Sequence, residues 1–391
     1  MYTHCDDMGN GSPLLTLITN ALGTLRAFSH VIYNIIRYSN IQYNLNGEYT
    51  MKKNTNTNET ANNNNETVNT NGAYISETAT VYDGAYIGKR VRIEGNAVVH
   101  AGASITGDAI VRDSAVISGD AIVRDSAVIS GNAIVRGHSI IEGSAIVRGN
   151  AVIDDFAIVR DDVIVEDNAS VRGNALLEDS VRVINNARVR GNARVLGHST
   201  ISGSALVEGN AKVYGESVIC GDAVISGNAR IDEYAHIGGN TRISGTARVS
   251  GYSYIHGHVR ISNAAYISGN AEVYGYAQIG KSVICGDAQV RDDAQVYGDS
   301  RIDGNAIIEG MALITGNAHV CRCTHTSNPI TCKSSNGKIF TVDGEYINCS
   351  ELSFRPDEWP SVIDEWGYYS DKLKDEYKAI VIFLNNTYMQ E

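Results

Sequence analysis

The chain has 391 residues, with 39 glycines, 4 prolines and 21 tyrosines, but only 5 phenylalanines and 2 tryptophans, too few of the last two for a conventional core of this size. A formal charge of −12 argues against general nucleic-acid binding, since neutralising phosphates takes surplus Lys and Arg. Seven cysteines, odd in number and unevenly spread, argue against a disulfide scaffold and for a reducing compartment, without fixing where the protein resides.

In chain order, residues 1–50 carry a mixed apolar pattern suited to a helix. Met51 and the two lysines after it resemble a start site, so this stretch equally suits an upstream extension of the reading frame. Its most apolar part, residues 14–38, is interrupted by Asn20, Arg26, His30 and Asn34 and does not read as a membrane span. The start lacks the basic region of a signal peptide. Residues 51–72 are Asn, Thr and Glu with almost nothing to bury, and are expected to be a disordered linker. Residues 73–320 are a repeat. Residues 321–391 change character and hold both tryptophans and three of the four prolines.

The repeat has a period of six, as in "AVISGDAIVRDSAVISGNAIVRGH" from 115 to 138. Counting each hexad from its small residue, 35 run in phase from Ala73. One residue is missing at "AQIGK" (277–281), and seven more hexads follow from Ser282. Offset two is always Ile, Val or Leu. In a strand, offsets zero and two point the same way and offsets one and three the other. Each hexad is therefore a short strand with an apolar inner side. Offset four is Gly, Asp or Asn in most hexads, the types that tolerate positive φ at a corner. Three strands and three corners close an 18-residue triangle. Forty-two hexads give 14 coils, about 67 Å at roughly 4.8 Å each. Val189 and Val195 are expected inside, Arg188 and Arg190 outside.

This pattern resembles the hexapeptide-repeat left-handed parallel β-helix; the hand comes from the resemblance. Gly falls one position later than in the family's acyltransferases, a variant similar to repeat proteins of bacteriophages and to bacterial proteins labelled as transferases. The tail resembles the small C-terminal domain that follows such repeats in phage proteins. The expected fold is an all-β three-sided parallel β-helix with an α+β cap over 321–391. The cap should contain a hairpin at 338–349 turning at Asp343-Gly344, and a helix near 371–385 burying Leu373, Tyr377, Ile380 and Leu384.

Charges support the 18-residue coil. Arg124, Glu142, Arg160 and Glu178 fall in one column, and Ser118, Arg136, Asp154 and Arg172 in another. Each exposed pair contributes about 0–1 kcal/mol and serves mainly to fix register.

Candidate chemistry is sparse. The resemblance implies a general-base His and a coenzyme A loop for an acyltransferase, or three zinc-binding His for a carbonic anhydrase. Here no insertion breaks the hexads, and His256 and His258 have Tyr274 and Tyr276, not a third His, one coil away. Cys321, Cys323, Cys332 and Cys349 are weak zinc candidates, read first as apolar fillers. The many "GNA" and "GDA" triplets are corners rather than phosphate loops, and no cofactor is expected.

The stretch "GYSYIHGH" (251–258) places Tyr252, Tyr254, His256 and His258 on the outside. Tyr234 and His236 lie one coil before, and Tyr274 and Tyr276 one coil after. These eight rings, expected around one corner and its two adjoining sides and scarce in the first six coils, suggest a contact surface for a glycan or for another subunit, as in a trimer. Its association should weaken as the histidines gain charge near about pH 6. The role expected is a non-catalytic structural or binding rod, of phage or prophage origin as the resemblance implies, with no nucleic-acid or membrane partner. The alternatives are an acyltransferase-like enzyme with its site between subunits and a self-assembling filament.

Overall fold

A computed structural model describes residues 72–320 apart from 317, most of 338–388, and four short backbone strands flanking these. All belong to one compact unit, Asn56–Glu391. The expectations for residues 1–50 lie outside the described residues.

The hexads form a three-sided parallel β-helix. The first face starts at Tyr74–Ser76, the second at Thr80–Val81 and the third at Tyr86–Ile87. Each strand pairs in parallel with the strand one coil away, as Val116 pairs with Val98 and Ile134. The second and third faces have 14 strands each. The offset is 18 residues except across the missing residue, where Tyr266 pairs with Val283 and Gln278 with Gln295. There the ring of Tyr297 lies over Gly280, where a Cβ would stand 2.6 Å from it.

The core is a stack of small and branched side chains. Val189 and Val195 are fully buried, while Arg188 and Arg190 are exposed. Where offset zero is Ser or Thr, burial strands a hydroxyl, which costs free energy unless it is bonded. The rod solves this locally. Ser139, Ser199, Ser217, Thr241, Ser253 and Ser300 each donate to the carbonyl three residues earlier, at 2.6–2.9 Å. Ser282, which follows the shortened corner, has no such partner.

Corners sit at offset four with positive φ: Gly119 (66°), Gly131 (68°), but also Asp113 (63°) and Asp155 (60°). Aspartate does more than tolerate this conformation. The Asp155 carboxylate accepts from the backbone N–H of Gly173 one coil on (2.9 Å), and Asp113 and Asp292 do the same for Gly131 and Gly310. Above or beside them, asparagines form amide ladders. Asn132, Asn150, Asn168 and Asn186 line one corner; Asn174, Asn192, Asn210 and Asn228 line the next, each amide donating to the one a coil on.

Most ion pairs of the charge columns run from base to acid, though Glu166 also meets Arg182. Arg124, Arg136, Arg148, Arg160 and Arg190 each bridge to the acid 18 residues later, Glu142, Asp154, Glu166, Glu178 and Glu208. Burial alone would raise the Asp154 carboxyl, but the Arg136 hydrogen bond, the Asp155 N–H and the Arg136 and Arg172 charges outweigh it and hold it low.

At the N-terminal end, Glu66–Val68 pairs antiparallel with Tyr74–Ser76, and Ala61–Asn62 pairs with Glu66–Val68. These five residues differ from the linker expected over 51–72; they cover an otherwise open strand edge. At the other end, Thr331–Lys333, Ile339–Asp343, Tyr346–Cys349 and Leu352–Phe354 make an antiparallel sheet. Two helices follow, Trp359–Asp364 and Asp371–Tyr388. The hairpin over 338–349 and the second helix match the expectation, with Tyr377 and Leu384 buried and Leu373 and Ile380 packed partly against them. The short helix before it, carrying Trp359, was not foreseen. Among the described residues, no helix is long and apolar enough to cross a membrane.

Candidate contact surface

The eight rings gather on the first face. The backbone turns at 251–252 and again at 257–258, with the strand Tyr254–Ile255 between. The cluster therefore covers one side and both of its corners, not one corner and two sides as the spacing suggested. An 18-residue coil with corners every six residues puts Tyr252 and His258 on successive corners.

The rings stack between coils. Tyr234 lies on Tyr252 with centroids 4.7 Å apart and planes 2° from parallel. His236 stacks on Tyr254 (4.8 Å), His256 on Tyr274 (5.1 Å) and His258 on Tyr276 (4.7 Å). Tyr254 and His256 meet at a tilt within one strand. Stacking occupies ring faces and leaves edges and hydroxyls outward, with Tyr252 66% and Tyr276 59% exposed. In each of the pairs Tyr234–Tyr252 and His258–Tyr276 one face of each ring is taken by its partner. Polar contacts tie the ladder down. Arg291 donates to the Tyr274 hydroxyl (3.0 Å), and the Asn240 amide contacts the His258 ring (3.3 Å).

The expected scarcity of rings in the first six coils does not hold. Tyr82 stacks on His100 and His138 on Phe156, and Tyr82, Tyr86 and Phe156 are exposed. Ring pairs at 18-residue spacing also occur in the first half of the rod; what is particular to residues 234–276 is the run His236–Tyr254–His256–Tyr274 across three coils, with a stacked pair on either side.

At the edge of the ladder, His236 is half-buried and its Nδ1 has no hydrogen-bond partner. Burial, then the charge of His256, pushes its pKa below the usual histidine range. Gly238 beside it leaves room where a Cβ would lie 3.2 Å from the Cys220 sulfur. Burial raises the Cys220 thiol, which disfavours a thiolate.

Among the described residues no three His, Cys, Asp or Glu side chains are placed to hold a metal. Cys349 is buried in the C-terminal core; the side chains of Cys321, Cys323 and Cys332 lie outside the described residues.

No family model matches the chain, and no curated protein does. Solved structures with some likeness include an Arabidopsis UDP-N-acetylglucosamine acyltransferase (9% identity over 80% of this chain and 90% of that one, TM-score 0.29). Another is the UDP-N-acetylglucosamine O-acyltransferase of Moraxella catarrhalis (14% identity, 69% and 93%, TM-score 0.16). Likenesses this low carry no argument about this chain. Neither is a phage protein, so the phage resemblance gains no support from them.

Proposed function

We propose that the chain is a non-catalytic β-helical rod whose stacked Tyr/His ladder is the contact surface between copies of the same chain. The run His236–Tyr254–His256–Tyr274, flanked by the stacked pairs Tyr234–Tyr252 and His258–Tyr276, is the observation that supports this. Tyrosine provides large, amphipathic contact area at interfaces. A strip of fixed coil spacing can also match itself in an antiparallel copy, as an isologous contact requires. Glu272, over Tyr254 at one end of the strip, then faces the one imidazole at the other end, that of His236. The test is light scattering of the parent and of the triple variant Tyr252→Ser, Tyr254→Ser, Tyr274→Ser. None of these side chains points inward, so the variant should fold, melt somewhat lower for the loss of the stacks and of the association, and run as a monomer. An unchanged oligomeric state removes the ladder from the contact.

The second reading, an acyltransferase-like enzyme with its site between subunits, rests on His236. Burial lowers its pKa, which favours the neutral imidazole a general base needs, and its buried Nδ1 has no hydrogen-bond partner. Against it stands the uninterrupted run of hexads, which leaves no loop to build a substrate pocket. Saturable coenzyme A binding that is lost in His236→Phe would decide for the enzyme.

A further inference from the structure

A second surface lies on the third face, beginning three coils before the ladder and overlapping it in one coil. There the outward residues at offset one are, coil after coil, Arg194, Lys212, Arg230 and Arg248. They pair directly across neighbouring strands, so four cations stand in one column at roughly 4.8 Å per coil. Like charges set directly opposite destabilise a sheet. Earlier in the rod five arginines between 124 and 190 each meet an acid one coil on. In the column only Arg230 has an acid partner, Asp232 in its own strand (2.7 Å). Arg194, Lys212 and Arg248 are exposed and form no ion pair with any described residue. On the second face Arg242 and Arg260 likewise stack without one. Residues 181–264 hold nine Lys and Arg against five Asp and Glu, in a chain of net charge −12. A local rule kept earlier in the rod and broken over four consecutive coils points to a site, because proteins accept such conflicts where function requires them.

We propose that this column binds a linear acidic polysaccharide lying along the rod axis. Charge complementarity selects a polymer whose anionic groups recur along its length. The border of the face selects one rich in hydroxyls. The corner beside the column carries the ladder Asn174, Asn192, Asn210 and Asn228, whose amides retain an N–H and carbonyl lone pairs beyond the bond along the ladder. Single-stranded nucleic acid fits less well. Bases need open ring faces, whereas Tyr234 and Tyr252 each have one face taken by the other and Tyr214 lies under Arg230 (5.1 Å).

The experiment measures binding of polygalacturonate to the full chain at two salt concentrations, with a poly-dT oligonucleotide as competitor. Affinity should fall as salt rises. The variant Arg194→Gln, Lys212→Gln, Arg248→Gln should lose tenfold or more while melting no lower than the parent, since it removes repulsion. A control with the same change in net charge, Arg112→Gln, Arg136→Gln, Arg148→Gln, should lose less than twofold. Three results overturn the proposal: no binding of polygalacturonate at low salt, an equal loss in the control, or tighter binding of the oligonucleotide at the same residues.

Discussion

Coils of the first half and coils of the second half have the same interior and different exteriors. Inside, both stack Ala or Ser against Ile or Val with no exposure. Outside, the first half sets Ile122, Ile140, Ile158 and Leu176 in a half-buried aliphatic column on the third face, flanked by paired arginines. From Arg194 the same column turns basic over four coils, and from His236 the first face turns aromatic over three, the two stretches sharing one coil. The fold needs only the inner positions and the corners; the outer positions are free to differ, and that is where function can be written.

The largest expected effect breaks what the halves share. Val195→Asp places a carboxylate in a core one side chain wide and should cost about 4 kcal/mol or more. Val123→Asp, at the corresponding position of the first half, should cost the same within error. A denaturant midpoint left unchanged by either would refute the inward assignment. Next, Asp155→Ala removes both a residue tolerant of positive φ and the acceptor for the Gly173 N–H. It should cost about 1–3 kcal/mol, with Asp155→Asn costing less.

Smaller substitutions separate the halves by sign. Glu166→Gln breaks its ion pair with Arg148 and should cost about 0–1 kcal/mol. Lys212→Gln relieves a like-charge column and should stabilise slightly at low salt, with the gain fading as salt screens it. Two losses of equal size would mean that the column is paired in solution. The smallest effect is one of pH. His236 has a folded pKa below the ordinary 6.5, chiefly through burial, so the unfolded chain takes up its proton first. Its contribution is complete above pH 6.5 and is lost as pH falls below that value toward the folded pKa. Thermal melts should show this decline in the parent and lack it in His236→Phe, which keeps the stack on Tyr254 without the titration.

The fold was legible because period six constrains every coil in the same way, and the column Ile75, Ile93, Val111 repeats one physical requirement along the chain. Even the missing residue near Gly280 could be read as a 17-residue step. Less legible was how polar groups are satisfied. Asp155 looked like a glycine substitute, yet its carboxylate bonds to the next coil. The asparagines of "GNA" looked like corner filler, yet they form ladders. Such bonds depend on neighbours 18 residues away and on rotamers that composition does not carry. The ring cluster could be assembled from spacing, but not the face-to-face stacking of its rings. The cation column was open to the same spacing argument; attention to the alternating arginines at offset three passed over offset one.

The contact proposed for the ladder is tested most directly by comparing tyrosines of the two halves in the native protein. Tyr252 and Tyr276 are exposed in the single chain, as are Tyr82 and Tyr86 near its start. Hydroxyl-radical footprinting read by mass spectrometry reports how fast each is oxidised. If copies meet through the ladder, Tyr252 and Tyr276 are protected, Tyr82 and Tyr86 react freely, and dilution to monomer restores the first pair. Equal rates for all four at every concentration would contradict the account.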